Sequence, residues 1–227
     1  MADDNFGGAW LVTEYVFNPD GTFAGIVKQR RVVEAIADGR LRVTQMCEPS
    51  TELADHAMGA FAGEWVFDLE VDGVHRRYLG PDVVGLGTEW QPGAMTGHGL
   101  WPRFGHEFTS YGVLVAPDRQ LTGGLFSKAG RSVADIVGVA VPESVGVEPT
   151  LDLSVEAPAV GDEWQLSRTV GPMRVAISRT PIEERRFYSM VDTVSGSRLA
   201  IETSSEFGLG AGESTSTTNV RIETDQS

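Results

Sequence analysis

Between Gly97 and Val113 the chain reads GHGLWPRFGHEFTSYGV, which holds two of its four histidines among four glycines. His98, Trp101, Arg103, His106, Glu107 and Tyr111 fall within 14 residues, the densest gathering of proton-moving and orienting groups in the sequence. Imidazole changes charge near neutral pH and a guanidinium grips polar oxygen, so the chemistry on offer is acid/base work on a small polar group. The His106-Glu107 pair is not a zinc-protease motif, because Ser110 stands where the second histidine would be.

These groups need an element to aim them. Alternation from Phe104 puts His106 with Phe104 and Phe108 on one face of a strand, and Glu107, Thr109, Tyr111 and Val113 on the other. His106 and Glu107 therefore cannot act on each other. An imidazole between two phenylalanines has three open readings: a satisfied core histidine, a proton-transfer group, or a metal or haem ligand. Trp101-Pro102 turns the chain and offers a way to bring His98 and His106 together.

Strand register sorts a second set. If Asp72-Gly73 is a two-residue turn, Phe67 faces Tyr78, Leu69 faces Arg76, Asp68 faces Arg77 and Glu70 faces His75. Trp65, Phe67, Leu69 and Val71 then share an apolar face with Arg76 and Tyr78, while His75 faces solvent. A buried guanidinium needs an ion pair or an anionic ligand. Asp135, inside the apolar RSVADIVGVAV, is one partner for Arg76 or alternatively a general base. In VVGLGTEW, Glu89 shares a face with Gly85 and Gly87, which leaves room for a ligand or marks twist.

The supporting elements read as strands throughout: 9–17, 22–30, 32–37, 40–47, 63–71, 74–79, 83–91, 104–116, 119–127, 132–141, 149–155, 163–170, 173–180, 185–192, 197–206 and 216–223. Short alternating segments at this spacing predict a sandwich or an antiparallel barrel. Asn18-Pro19-Asp20-Gly21, Asp38-Gly39 and Asp72-Gly73 supply tight turns. Only PSTELADHAMGAFA, 49–62, has helical spacing, through Leu53, Ala57, Met58 and Phe61, with Ser50 or Thr51 as cap. It predicts one short helix near 50–61 that plugs the barrel or lies across it. The segments 6–25 and 61–80 share a Phe-x-Gly-x-Trp start, a strand and an Asp-Gly turn, which reads as two similar hairpins.

Gly8-Ala9-Trp10 at the head of the first strand resembles the opening of lipocalin-like (calycin) barrels. The resemblance implies an all-β barrel with an internal pocket and no particular ligand; a second lipocalin motif and the C-terminal helix are missing. A single barrel domain over 1–227 is expected, with a weaker alternative boundary in the Gly/Pro-containing stretch 142–162.

Bulk properties exclude several classes. A net charge of −14 disfavours nucleic acid and anionic membranes, and no apolar run is long enough to span a bilayer. The acidic start lacks a secretory signal, and the lone Cys47 excludes an internal disulfide or a cysteine-based zinc site, so a cytoplasmic location is expected. There is no phosphate-binding loop, dinucleotide fingerprint or nucleophile elbow.

The sequence thus predicts a cofactor-independent acid/base enzyme (isomerase, cyclase, dehydratase or lyase) acting on a hydrophobic oxygenated small molecule, with no metal. His106 or His98 would move a proton, Asp135 or Glu89 would serve as base, and Arg76 or Tyr78 would steady an oxyanion. Trp101, Arg103, Phe104, Phe108, Tyr111, Trp65 and Phe67 would line the pocket. The alternatives are a non-catalytic carrier, a haem-binding barrel using His98 or His106, and an interaction domain; a homo-oligomer is compatible with all of them.

Overall fold

The computed structural model describes residues 6–154, 166–170, 173–179, 183–207 and 214–223. Ten antiparallel strands close a barrel in which each strand pairs with its sequence neighbours and the last pairs with the first. They are β1 (Gly8–Phe17), β2 (Phe23–Ala37), β3 (Arg40–Pro49), β4 (Gly63–Asp72), β5 (His75–Leu79), β6 (Val84–Gln91), β7 (Ala94–Trp101), β8 (His106–Ala116), β9 (Arg119–Lys128) and β10 (Arg131–Pro142). Closure leaves no unpaired edge in this sheet.

The strands from residue 153 onward form a second sheet. β12 (Leu166–Val170), β13 (Met173–Arg179), β14 (Glu183–Asp192), β15 (Ser197–Phe207) and β16 (Ser214–Glu223) follow one another, and the short β11 (Leu153–Ser154) pairs with β14. The barrel is thus complete by Pro142. Residues 155–165, inside the alternative boundary, lie outside the described residues, as does the acidic end 224–227.

Turn chemistry sets the register. Asn18 accepts the Gly21 N–H at 2.8 Å, and Gly21 takes a φ of 89°, as the Pro-Asp-Gly sequence requires. Asp38-Gly39 is the two-residue loop between Ala37 and Arg40. The β4–β5 hairpin differs from expectation: its loop is Gly73-Val74, with Asp72 opposite His75 and Val71 opposite Arg76. Gly73 holds a positive φ of 57° and Val74 does not, which suits a turn with glycine first rather than second. The register moves by two residues, so the faces survive although the pairs change. Glu70 meets Arg77 at 3.8 Å, and Asp68 is taken by Arg42 at 2.9 Å.

Two elements depart from the sequence reading. The segments 22–30 and 32–37 are one strand, β2, which bends at an irregularity between Ala35 and Ala37. β7 carried no strand signal because Gly97 and Gly99 weaken it. A Cβ at Gly99 would meet the Phe108 ring at 2.8 Å, and one at Gly97 would meet the Tyr78 hydroxyl at 2.8 Å. The glycines make room for aromatic rings inside the barrel.

The helical segment is present as two 3₁₀ turns, Thr51–Leu53 and Ala57–Phe61. Ser50 does not cap the first; its hydroxyl instead accepts the Ile26 N–H of β2 at 3.1 Å. His56 caps the second through Nδ1, which accepts the Met58 N–H at 3.1 Å. The chain folds back so closely that a Cβ at Gly59 would lie 2.1 Å from the Leu53 carbonyl oxygen, so this packing of the two turns requires glycine there. Among the described residues no helix is long and apolar enough to cross a membrane.

Candidate ligand cavity

Strand pairing decides which side chains enter the barrel. On β1 the inward row is Trp10, Val12, Glu14 and Val16, and the matching row on β2 is Gly25, Val27, Gln29, Arg31 and Val33. The row continues through Gln45 and Cys47 on β3, Trp65, Phe67 and Leu69 on β4, and Arg76 and Tyr78 on β5. It closes through Met95 and Trp101 on β7, His106, Phe108 and Ser110 on β8, Gln120, Thr122 and Phe126 on β9, and Ile136 on β10. These walls enclose a cavity of about 200 Å³.

One end is aromatic. Phe61, carried in by the second 3₁₀ turn, lies edge-on to Trp101 at 5.2 Å and to Phe126 at 5.5 Å, and packs on Phe104 at 4.7 Å. Trp65 stands edge-on to Trp101 at 5.5 Å and donates its indole N–H to the Phe61 carbonyl at 2.8 Å. Rings in these tilted and T-shaped arrangements hold one another beyond their simple burial. Arg103 lies over Trp65 with its guanidinium 5.7 Å from the ring. Toward the other end Phe6 lines the cavity beside Gly112.

Between them lies a polar band. Glu14 accepts a hydrogen bond from the Gln29 amide at 2.6 Å. Burial pushes the Glu14 carboxyl up to about 7, against the opposing influences of Arg31 and Gln29. Arg31 donates to the Gln120 carbonyl oxygen, and no carboxylate lies within ion-pair distance among the described residues. Its Nε is buried without a partner. Burial pulls the Arg31 guanidinium down from its ordinary value, partly offset by the charge of Glu14. Tyr78 bonds with Ser110, and burial raises its phenol. Cys47, on the wall, is pushed up to about 12 by burial and is no nucleophile.

The candidates named from sequence separate accordingly. Trp65, Phe67, Tyr78, Trp101 and Phe108 line the cavity. Tyr111 borders it, but its side chain belongs to the outward row with Gly123 and Val137, and its buried hydroxyl has no partner. Phe104 packs behind Phe61 in the aromatic end. His106 does point inward, yet its ring stacks at 6.3 Å on both Phe61 and Phe104, away from the cavity, with Nδ1 unpartnered. Burial, helped by Lys128, lowers its pKa and keeps it neutral.

His98 is exposed on the opposite face from His106, so the turn at Trp101-Pro102 does not unite them. Asp135 is buried on the outward row of β10, opposite Phe17, and does not meet Arg76. Arg76 pairs instead with Glu89 at 2.5 Å and reaches the Gly73 carbonyl at 2.9 Å, while Glu89 also accepts the Gly93 N–H at 3.1 Å. This pair ties the β4–β5 hairpin to the β6–β7 hairpin. The space beside Gly87 and Gly97 is filled by the Tyr78 ring.

Glu14, Gln29, Arg31, Gln120 and Thr122 were missed. Alternation on Trp10-Val12-Glu14-Val16 and Val27-Gln29-Arg31-Val33 carries the signal, a charge placed in an otherwise apolar row. Among the described residues no cluster of three or more histidine, cysteine, aspartate or glutamate side chains could hold a metal ion.

The fold is thus a closed antiparallel, lipocalin-like barrel with an internal cavity. Solved structures of similar shape include an S-type phycobiliprotein lyase from Guillardia theta, at 12% identity, covering 61% of this chain and 88% of that one with a TM-score of 0.47. Another is a protein of unknown function from the DUF3598 family of Nostoc punctiforme, at 12% identity and a TM-score of 0.50. That match covers 63% of this chain and 49% of the other, so the present chain spans about half its length. A redesigned β-barrel matches at 15% identity over 60% of this chain and 90% of its own, with a TM-score of 0.34. At these identities the likeness is one of fold. No protein-family model and no curated protein matches the sequence.

Proposed function

We propose that the barrel binds a flat, largely apolar small molecule, with its body among Trp65, Phe67, Trp101 and Phe108 and its polar end at the Glu14–Arg31 band. The observation that carries this reading is the cavity itself: about 200 Å³ of enclosed space with aromatic walls and a few convergent polar groups. A core serving only stability would fill such space, because each void forfeits packing.

Binding is tested by titrating the protein with N-phenyl-1-naphthylamine and following the probe's emission. The wild type should bind and brighten the probe. Val27→Trp, which fills the cavity from a wall position, should bind at least about tenfold more weakly, equivalent to roughly 1.4 kcal/mol. Equal binding by both proteins would place the probe outside the barrel and remove the reading.

A second reading is catalytic. A carboxyl poised near neutral pH in an enclosed site has the property of a general acid or base, so Glu14, rather than His106 or Asp135, would move the proton in an isomerisation or elimination. Glu14→Gln would then abolish turnover.

A further inference from the structure

We infer that the ligand is an acid: an apolar molecule whose anionic oxygens are received by Arg31. The inference rests on the ligand-binding reading above and adds the chemistry of the head group. Arg31 projects from β2 into the cavity, and among the described residues no carboxylate is in contact with it. Among the described residues its side-chain partner is the neutral amide of Gln120, and its Nε has none. A buried guanidinium left in this state is costly unless an anion joins it.

The neighbouring carboxylate does not supply that anion. Glu14 is held by the Gln29 amide at 2.6 Å, and the two charges stay outside contact distance. An amide thus stands on each charge where an ion pair would otherwise close. The position between them suits a carboxylate, which accepts two N–H bonds from a guanidinium in a single plane. The burial that raises the Glu14 carboxyl leaves it partly protonated near neutral pH. A protonated Glu14 can donate to the same ligand oxygens. Other groups acting on this pair are Gln29, Tyr78, Tyr111 and Cys47, none of them cationic.

The test compares naphthalene-2-carboxylate with naphthalene-2-carboxamide by calorimetry on the full chain. The two have the same shape, and the acid is ionised above an ordinary carboxyl pKa of about 4. In the wild type at about pH 6 the acid should bind at least about tenfold more tightly, as expected for hydrogen bonds to a charged group. Its affinity should fall as pH rises past about 7, where Glu14 becomes a second anion, and the amide's should stay flat. Arg31→Met should remove the preference for the acid over the amide. Equal affinities in the wild type overturn the anionic head group alone, with no variant needed. If neither compound binds, the ligand-binding reading falls and this inference with it.

Discussion

Two regions of the described interior, the aromatic end and the polar band, make opposite use of burial. Around Phe61 the rings of Trp65, Trp101, Phe104 and Phe126 satisfy one another by contact. At the polar band, Glu14 and Arg31 are buried, and the Arg31 Nε is left without a partner among the described residues. The first arrangement stabilises the barrel. The second costs stability. The difference teaches that density of reactive residue types is a poor guide to a barrel's polar interior: from the richest stretch Trp101 and Phe108 reach the cavity wall and His106 packs among rings, while scattered polar residues in apolar rows form the polar band.

Three substitutions sharpen or break this contrast. Phe61→Ala should have the largest effect, destabilising the fold by about 3–5 kcal/mol because it empties the centre of the ring cluster. Denaturant unfolding monitored by tryptophan fluorescence measures it, and a loss under about 1 kcal/mol would mean the aromatic end is not a structural plug.

Glu14 comes next. Its folded pKa, about 7, lies above the ordinary carboxyl value, so the folded state holds the proton more tightly than the unfolded chain does. Stability should be greatest below about pH 4.5 as far as this group is concerned, and should fall as pH rises to about 7, by on the order of 3 kcal/mol. Glu14→Gln should flatten that part of the stability profile. A profile unchanged by the substitution would show that Glu14 is solvated.

His106→Phe should be the mildest, within about 1.5 kcal/mol of wild type, since a ring replaces a ring and an unpartnered nitrogen is removed. Binding of N-phenyl-1-naphthylamine should be unaffected. Loss of binding here, with the fold intact, would return His106 to the site.

Much of the fold could be read from the sequence because period-two alternation and Gly-containing turns are local signals. The faces of β4 and β5 came out correctly even though the hairpin loop lies at Gly73-Val74, since a register change of two residues preserves sidedness. β7 could not be read, because Gly97 and Gly99 have meaning only once Tyr78 and Phe108 cross the barrel to meet them. The site was half readable. Trp65, Phe67, Tyr78 and Phe108 followed from alternation, Trp101 only from the concentration at 97–113, and Arg76 was read as needing an ion pair or an anionic ligand. That the charge is Glu89 and not Asp135 depends on which strands become neighbours, and alternation alone does not say so. Glu14 and Arg31 were within reach of the same alternation, but their strands looked ordinary beside the concentration at 97–113.

The most direct test follows side-chain N–H resonances by nuclear magnetic resonance while naphthalene-2-carboxylate is added. If the polar band is the site, the Arg31 Nε–H and the Gln29 and Gln120 amide signals shift together and saturate, and the His106 ring signals stay in place. Shifts centred on His106, with Arg31 silent, would contradict the account and put the ligand in the end described here as a plug.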